Sequence, residues 1–200
     1  MSLCACLALT SYSEEQGPIE GQAGAFALPQ HGTLLLKMPS AWKQTVRRPP
    51  NNLPPTITFA PYQGDDFKVL ITTIWSPRKD PSFNKSDKVK SLIDNDLKGM
   101  LPGAIEKEVA LQEFKSIDGT GYYFLVTDRA PKPGEYPYAV RAGIGVGDLL
   151  LSVTVLSRSK DSEGITATIK ALQEAKQIYE NGAQQAVAGY PPQGVGSPEP

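Results

Sequence analysis

Histidine occurs once in the chain, at His31, and cysteine twice, at Cys4 and Cys6 within the first six residues. Each scarcity removes a class of chemistry. A Ser-His-Asp or Cys-His arrangement would have to recruit His31, which reads as an ordinary surface residue in the loop entering a strand. No Gly-x-Ser-x-Gly elbow exists to present a serine. A disulfide framework or a thiolate metal site needs cysteines distributed through the fold, and a His-rich metal site has too few ligands. Charge of one sign is not in excess either, since 20 Lys and Arg stand against 21 Asp and Glu. Nucleic-acid binders depend on clustered cations, and the densest group here, Lys43 with Arg47 and Arg48, is too small to make one. No apolar run approaches the ~20 residues a helix needs to span a bilayer.

What remains is an ordinary globular composition. Hydrophobic residues make up 40% of the 200 positions, enough for one domain with a real core plus tails. At the N-terminus, Leu3-Cys4-Ala5-Cys6-Leu7-Ala8-Leu9 is apolar and rich in small residues, and a polar segment to Pro18 follows it. The pair reads as the end of a secretory h-region running into a tether. Leu3-Cys4-Ala5-Cys6 also has the form of a bacterial lipoprotein cleavage box, which makes Cys6 the candidate lipid attachment site. The competing explanation is a vector-derived Met1-Ser2-Leu3 and a coincidental match. From Gly182 onward the chain is Pro/Gly-rich and nearly uncharged, the composition of a disordered tail. The expected organisation is therefore a leader remnant and tether over 1–27, a domain over 28–181 and a tail over 182–200.

Within the domain the patterns predict strands at 33–38, 41–48, 56–60 and 67–76, then a helix over 86–99. Val89, Leu92, Ile93, Leu97 and Met100 form its stripe, Ser86 caps it and Gly99 with Pro102 ends it. Strands at 108–117, 120–129, 138–146 and 149–158 follow, with turns at Asp118-Gly119 and Gly147-Asp148. A closing helix is expected from Asp161 or Ser162 to about Glu180, with Ile165, Ile169, Leu172 and Tyr179 inward and Asn181-Gly182 as its stop. Strands and helices do not alternate strictly, so the fold class is α+β: an antiparallel sheet of six to eight strands flanked by two main helices as an α/β/α sandwich.

Few groups are arranged for chemistry. Gly143, Gly145 and Gly147 are not followed by a helix, so they do not make a phosphate loop. They read as a smooth strand track for a packed helix or rings, with a shallow ligand groove as the sharper alternative. The acidic pairs are Asp65-Asp66, Asp94 with Asp96, and Glu106 with Glu108. Asp94 and Asp96 diverge on a helix, and hard cations need several convergent oxygens. The loop from Ala130 to Tyr138, carrying Tyr136 and Tyr138, is either a plain hairpin connection or a partner-binding loop.

Ser116-Ile117-Asp118-Gly119-Thr120-Gly121-Tyr122-Tyr123-Phe124-Leu125 resembles the hairpin of the PsbP-like family. Gly32 to Lys43, with Pro39 and Trp42, is similar to that family's first strand and turn, and Leu149 to Tyr179 to its closing strand and helix. The resemblance covers roughly 28–180 and implies the family's fold, shared by the photosystem II extrinsic protein PsbP, a nuclear Ran-binding protein and DcrB-type bacterial envelope lipoproteins. It implies partner binding rather than catalysis, with no cofactor and no catalytic residue to carry over. Together with the N-terminus it predicts a non-catalytic binding or assembly module of the bacterial envelope. Such a module would be periplasmic or extracytoplasmic, secreted or held to the membrane by a lipid, and would bind an unidentified protein partner. The alternative is a soluble assembly factor docking on a larger complex, a photosynthetic one included. An enzyme using carboxylates alone ranks last.

Overall fold

The computed structural model describes residues 24–50, 53–76 and 78–179. The readings of Cys4 and Cys6, of the tether before residue 24, and of Asn181-Gly182 and the tail lie outside the described residues. The principal sheet has seven antiparallel strands: β3 (Trp42–Arg47), β4 (Thr56–Pro61), β5 (Phe67–Trp75), β6 (Gln112–Ser116), β7 (Gly119–Thr127), β8 (Tyr138–Val146) and β9 (Leu149–Ser157). Their spatial order is β3-β4-β5-β9-β8-β7-β6. A three-stranded antiparallel sheet joins β1 (Ala25–Ala27) and β10 (Lys176–Ile178) to the two edges of β2 (Thr33–Leu35). The fold is α+β, as the order of elements predicts.

Alternation decides which face each strand buries. Val69 and Ile71 of β5, Val140, Ala142 and Ile144 of β8, and Leu149, Leu151, Val153 and Val155 of β9 point to one face. There they meet Phe26, Leu34 and Leu36 of the small sheet and Leu172 of α2 (Glu163–Gln173). The opposite face of β7 presents Tyr122, Phe124 and Val126 to Val89, Ile93 and Leu97 of α1 (Ser86–Met100). Helix α1 carries the chain from β5, in the middle of the sheet, to the far edge at β6. It crosses β7 and β8 on the way.

Four local expectations are corrected. Ser86 does not cap α1: Lys85 occupies that position without a side-chain bond, and the Ser86 Oγ accepts the Thr120 amide at 3.1 Å. The helix runs past Gly99 to Met100, and Pro102 sits in a single 3-10 turn, Leu101–Gly103. The strand expected from Glu108 begins only at Gln112. The preceding segment is held by Glu106, whose carboxylate accepts the Thr127 amide at 2.8 Å and its hydroxyl at 2.6 Å. The closing helix is capped by Ser162, which accepts the Gly164 amide, but it stops at Gln173. The chain then turns into β10, whose β-branched Ile178 pairs opposite Thr33.

The buried stripe of α2 is Gly164, Thr168, Ala171 and Leu172, while Ile165 and Ile169 lie at its margin. Small residues bring this helix close: a Cβ on Gly164 would sit 2.5 Å from Phe67 Cγ. Tyr179 lies beyond the helix and is half exposed. Strand β1 also precedes the expected domain start at 28. Three residues with alanine at both ends leave little periodicity to read.

Candidate functional site

Gly143 and Gly145 lie on the face of β8 that meets α1. A Cβ on Gly143 would come within 3.0 Å of Ile93 Cδ1 and 3.2 Å of Val89 Cγ1, and one on Gly145 would run into the Asn84 carbonyl oxygen. The helix and its entrance therefore cover Gly143 and Gly145, while Gly147 lies in the following turn against Gln177. Beside it, Arg141 donates to Asp96 from Nε at 3.0 Å and Nη2 at 2.6 Å, and also bonds the hydroxyls of Ser152 and Thr154. This partly buried ion pair pins α1 to the sheet. Asp94 turns instead to Lys98, at 2.5 Å. The two acids diverge, as their spacing requires.

The loop from Ala130 to Tyr138 is folded back on the β4–β5 turn. The Tyr136 hydroxyl donates to Asp65, and the Arg158 guanidinium lies 5.0 Å over the Tyr136 ring. Arg158 also donates to the Asp65 carboxylate at 2.7 Å and to the carbonyls of Gly134 and Glu135 at 3.1 Å each. Lys160 stands 5.6 Å over the ring of Tyr138. Burial, and then the bond to anionic Asp65, push the Tyr136 hydroxyl up to about 12, while the Tyr136 and Arg158 bonds hold Asp65 below the usual carboxylate range. Both tyrosines are half-buried and engaged within the chain. The outward part of the loop is 130–135.

At the opposite end of the sheet, His31 is not the isolated surface residue its loop suggests. Its ring stacks on Trp75 at 4.5 Å, and Nδ1 lies 3.1 Å from Asp148 Oδ2. Gln177 donates to the His31 carbonyl at 2.7 Å and to Asp148 Oδ1 at 2.5 Å, and accepts the Asp148 amide at 2.8 Å. Burial, and then its bond to Asp148, push the Tyr179 hydroxyl up to about 12. The group clasps β10 and the β1–β2 turn to the β8–β9 turn. Among the described residues no hydroxyl or thiol bonds the imidazole. Sequence reading missed the cluster because it placed Gln177 inside a helix and Asp148 in a plain turn.

Burial works against the charge on Asp148, but bonds from Gln177, Tyr179 and His31 outweigh it and lower its pKa. A carboxyl depressed in the folded state stabilises above its unfolded value, and that contribution disappears as pH falls through the folded value. The clasp therefore weakens below about pH 4. Asp148→Asn is expected to reduce the loss of thermal stability between pH 5 and 2, as scanning calorimetry would read; an unchanged acid limb would exclude Asp148 as a contributor.

At the His31 end of the sheet a small cleft of about 60 Å³ lies beside the start of α1, lined by Asn84, Ser86, Asp118, Gly145 and Gly147 among others. Ligand sites typically occupy ~300–1,000 Å³. Two of its polar side chains are already engaged: Asn84 Nδ2 donates to the carbonyls of Gly147 and Leu149 at 2.9 Å each, and Asp118 accepts the Gly147 amide at 3.0 Å. Among the described residues no three His, Cys, Asp or Glu side chains converge as metal ligands, no buried side-chain nitrogen or oxygen lacks a partner, and no helix is long and apolar enough to cross a membrane. On the α1 side of the sheet the helix packs over β7 and β8, and β3 to β5 present Lys43, Thr45, Arg47, Thr58 and Lys68 outward. Lys43 and Arg47 form no ion pair among the described residues.

No family model and no curated protein matches the chain. It is similar to a crystal structure from Bacteroides thetaiotaomicron, with 12% identity and a TM-score of 0.40 over 74% of this chain and 46% of that one, so it spans less than half the length of that neighbour.

Proposed function

We propose that the protein is a non-catalytic binding or assembly module of the bacterial cell envelope, anchored through a lipid on Cys6. One observation supports the non-catalytic part most. The chain's candidate acids and bases tie one element to another instead of converging on a cavity: Asp96 goes to Arg141, Asp65 to Arg158 and Tyr136, and His31 to Asp148. On this reading the partner meets the half of the sheet over β3, β4 and β5, where Lys43 and Arg47 complement an acidic surface. The envelope location is supported by Leu3-Cys4-Ala5-Cys6, the polar segment after it and the PsbP-like resemblance.

Metabolic labelling with a radioactive fatty acid tests the anchor. Protein expressed from the native gene should take up label and fractionate with membranes, and Cys6→Ser should abolish both. Unlabelled protein in the cytosolic fraction would refute the proposal.

A further inference from the structure

The two edges of the principal sheet differ in how they would meet a copy of themselves. Strand β3 presents Lys43, Thr45 and Arg47 on its open face. Antiparallel self-pairing about Thr45 would set Lys43 against Arg47, so this edge repels itself. Strand β6 pairs with β7 alone, and its register joins Ser116 to Gly119 across a two-residue turn. In such a hairpin the pairs 116/119, 114/121 and 112/123 exchange bonds with β7, leaving the amides and carbonyls of Glu113 and Lys115 directed at the free edge. The Thr120 amide, opposite Lys115, accordingly points away from β6 to Ser86 Oγ.

The geometry points to β6 as a homodimer interface, formed by antiparallel pairing of two copies about a two-fold axis at Phe114. That register gives backbone bonds between Glu113 of one copy and Lys115 of the other, twice. Glu113 and Lys115 are exposed, pair with each other at 3.6 Å and project to the α1 side, so in the dimer each acid also faces the other copy's base. One step further out, Leu111 meets Ile117. Leu111 is partly buried against the α1 cluster, and Ile117 is the most exposed large apolar side chain among the described residues, at 76%. The series on the α1 side, Leu111, Glu113, Lys115, Ile117, thus complements its own reverse, apolar to apolar and acid to base. An isologous contact requires this self-complementarity. The inference is independent of the envelope reading.

Sedimentation equilibrium on the full chain, at concentrations on the order of 100 μM to populate a small interface, tests it by charge reversal. Wild-type protein should show twice the single-chain mass. Glu113→Lys and Lys115→Glu should each sediment at the single-chain mass, since each sets like charges opposite one another. An equimolar mixture of the two variants should recover the dimer mass, because an all-cationic edge then meets an all-anionic one. This recovery also shows that both variants are folded. A wild-type chain that stays monomeric, a dimer that survives both single reversals, or a mixture that stays monomeric would each overturn the assignment.

Discussion

Valine in place of Gly145 should lower the free energy of unfolding by on the order of 3 kcal/mol, the upper range for overpacking. The reason is the neighbour a side chain would meet. Its Cβ would run into the backbone oxygen of Asn84, which cannot rotate away, and the same residue's side chain holds the carbonyls of Gly147 and Leu149. The entrance to α1 would have to lift, releasing those two bonds along with the packing. Urea denaturation should show a lower midpoint, and amide exchange should accelerate first in α1. A loss below about 0.5 kcal/mol, the scale of a neutral surface change, would mean that the helix rests on the strand more loosely than the geometry indicates.

Phe124→Ala carries the second large effect. Phe124 is fully buried in the centre of β7, where it belongs to the cluster that receives Val89, Ile93 and Leu97. Its removal should cost about 3–5 kcal/mol, through lost transfer free energy and an unfilled cavity. Folded domains commonly hold only ~5–15 kcal/mol in total, so this single change removes much of the margin. Differential scanning calorimetry should record a large fall in Tm. A fall no greater than that of an exposed control such as Ile105→Ala would contradict the two-layer core described above.

The long strands and α1 were legible because their periodicity is carried by large apolar residues. Leu149 to Val155 alternates without interruption, and Val89, Ile93 and Leu97 recur at helical spacing, so the faces they bury could be read directly. The glycine track was legible for the converse reason: missing side chains on one strand face imply a close neighbour. Elements held by polar side chains were not legible. Strand β10 exists in the pocket made by Asp148, His31 and the β2 edge, and Gln177 looks like any helix-surface residue until those partners are in place. The same holds for Ser86, which local sequence assigns to a cap and tertiary structure assigns to the Thr120 amide. On the inward face of α2 only Leu172 was legible as fully buried, because Gly164, Thr168 and Ala171 pack by being small, a property that hydropathy does not register. The connection carrying Tyr136 and Tyr138 was legible as a loop, but its attachment to Asp65 and Arg158 joins residues distant in sequence that no local pattern links.

Asp96, Asp148 and the lone histidine tie separate elements of the fold together. The change in unfolding free energy on replacing Asp96, Asp148 or His31 by alanine tests this most directly, and needs no knowledge of a ligand. Each variant should be less stable than wild type, with Asp96→Ala losing about 1–3 kcal/mol because Arg141 is left half-buried without its acid. Residues held in place for chemistry behave in the opposite way, and their removal commonly stabilises the protein. A gain in stability at Asp96 or Asp148 would contradict the account.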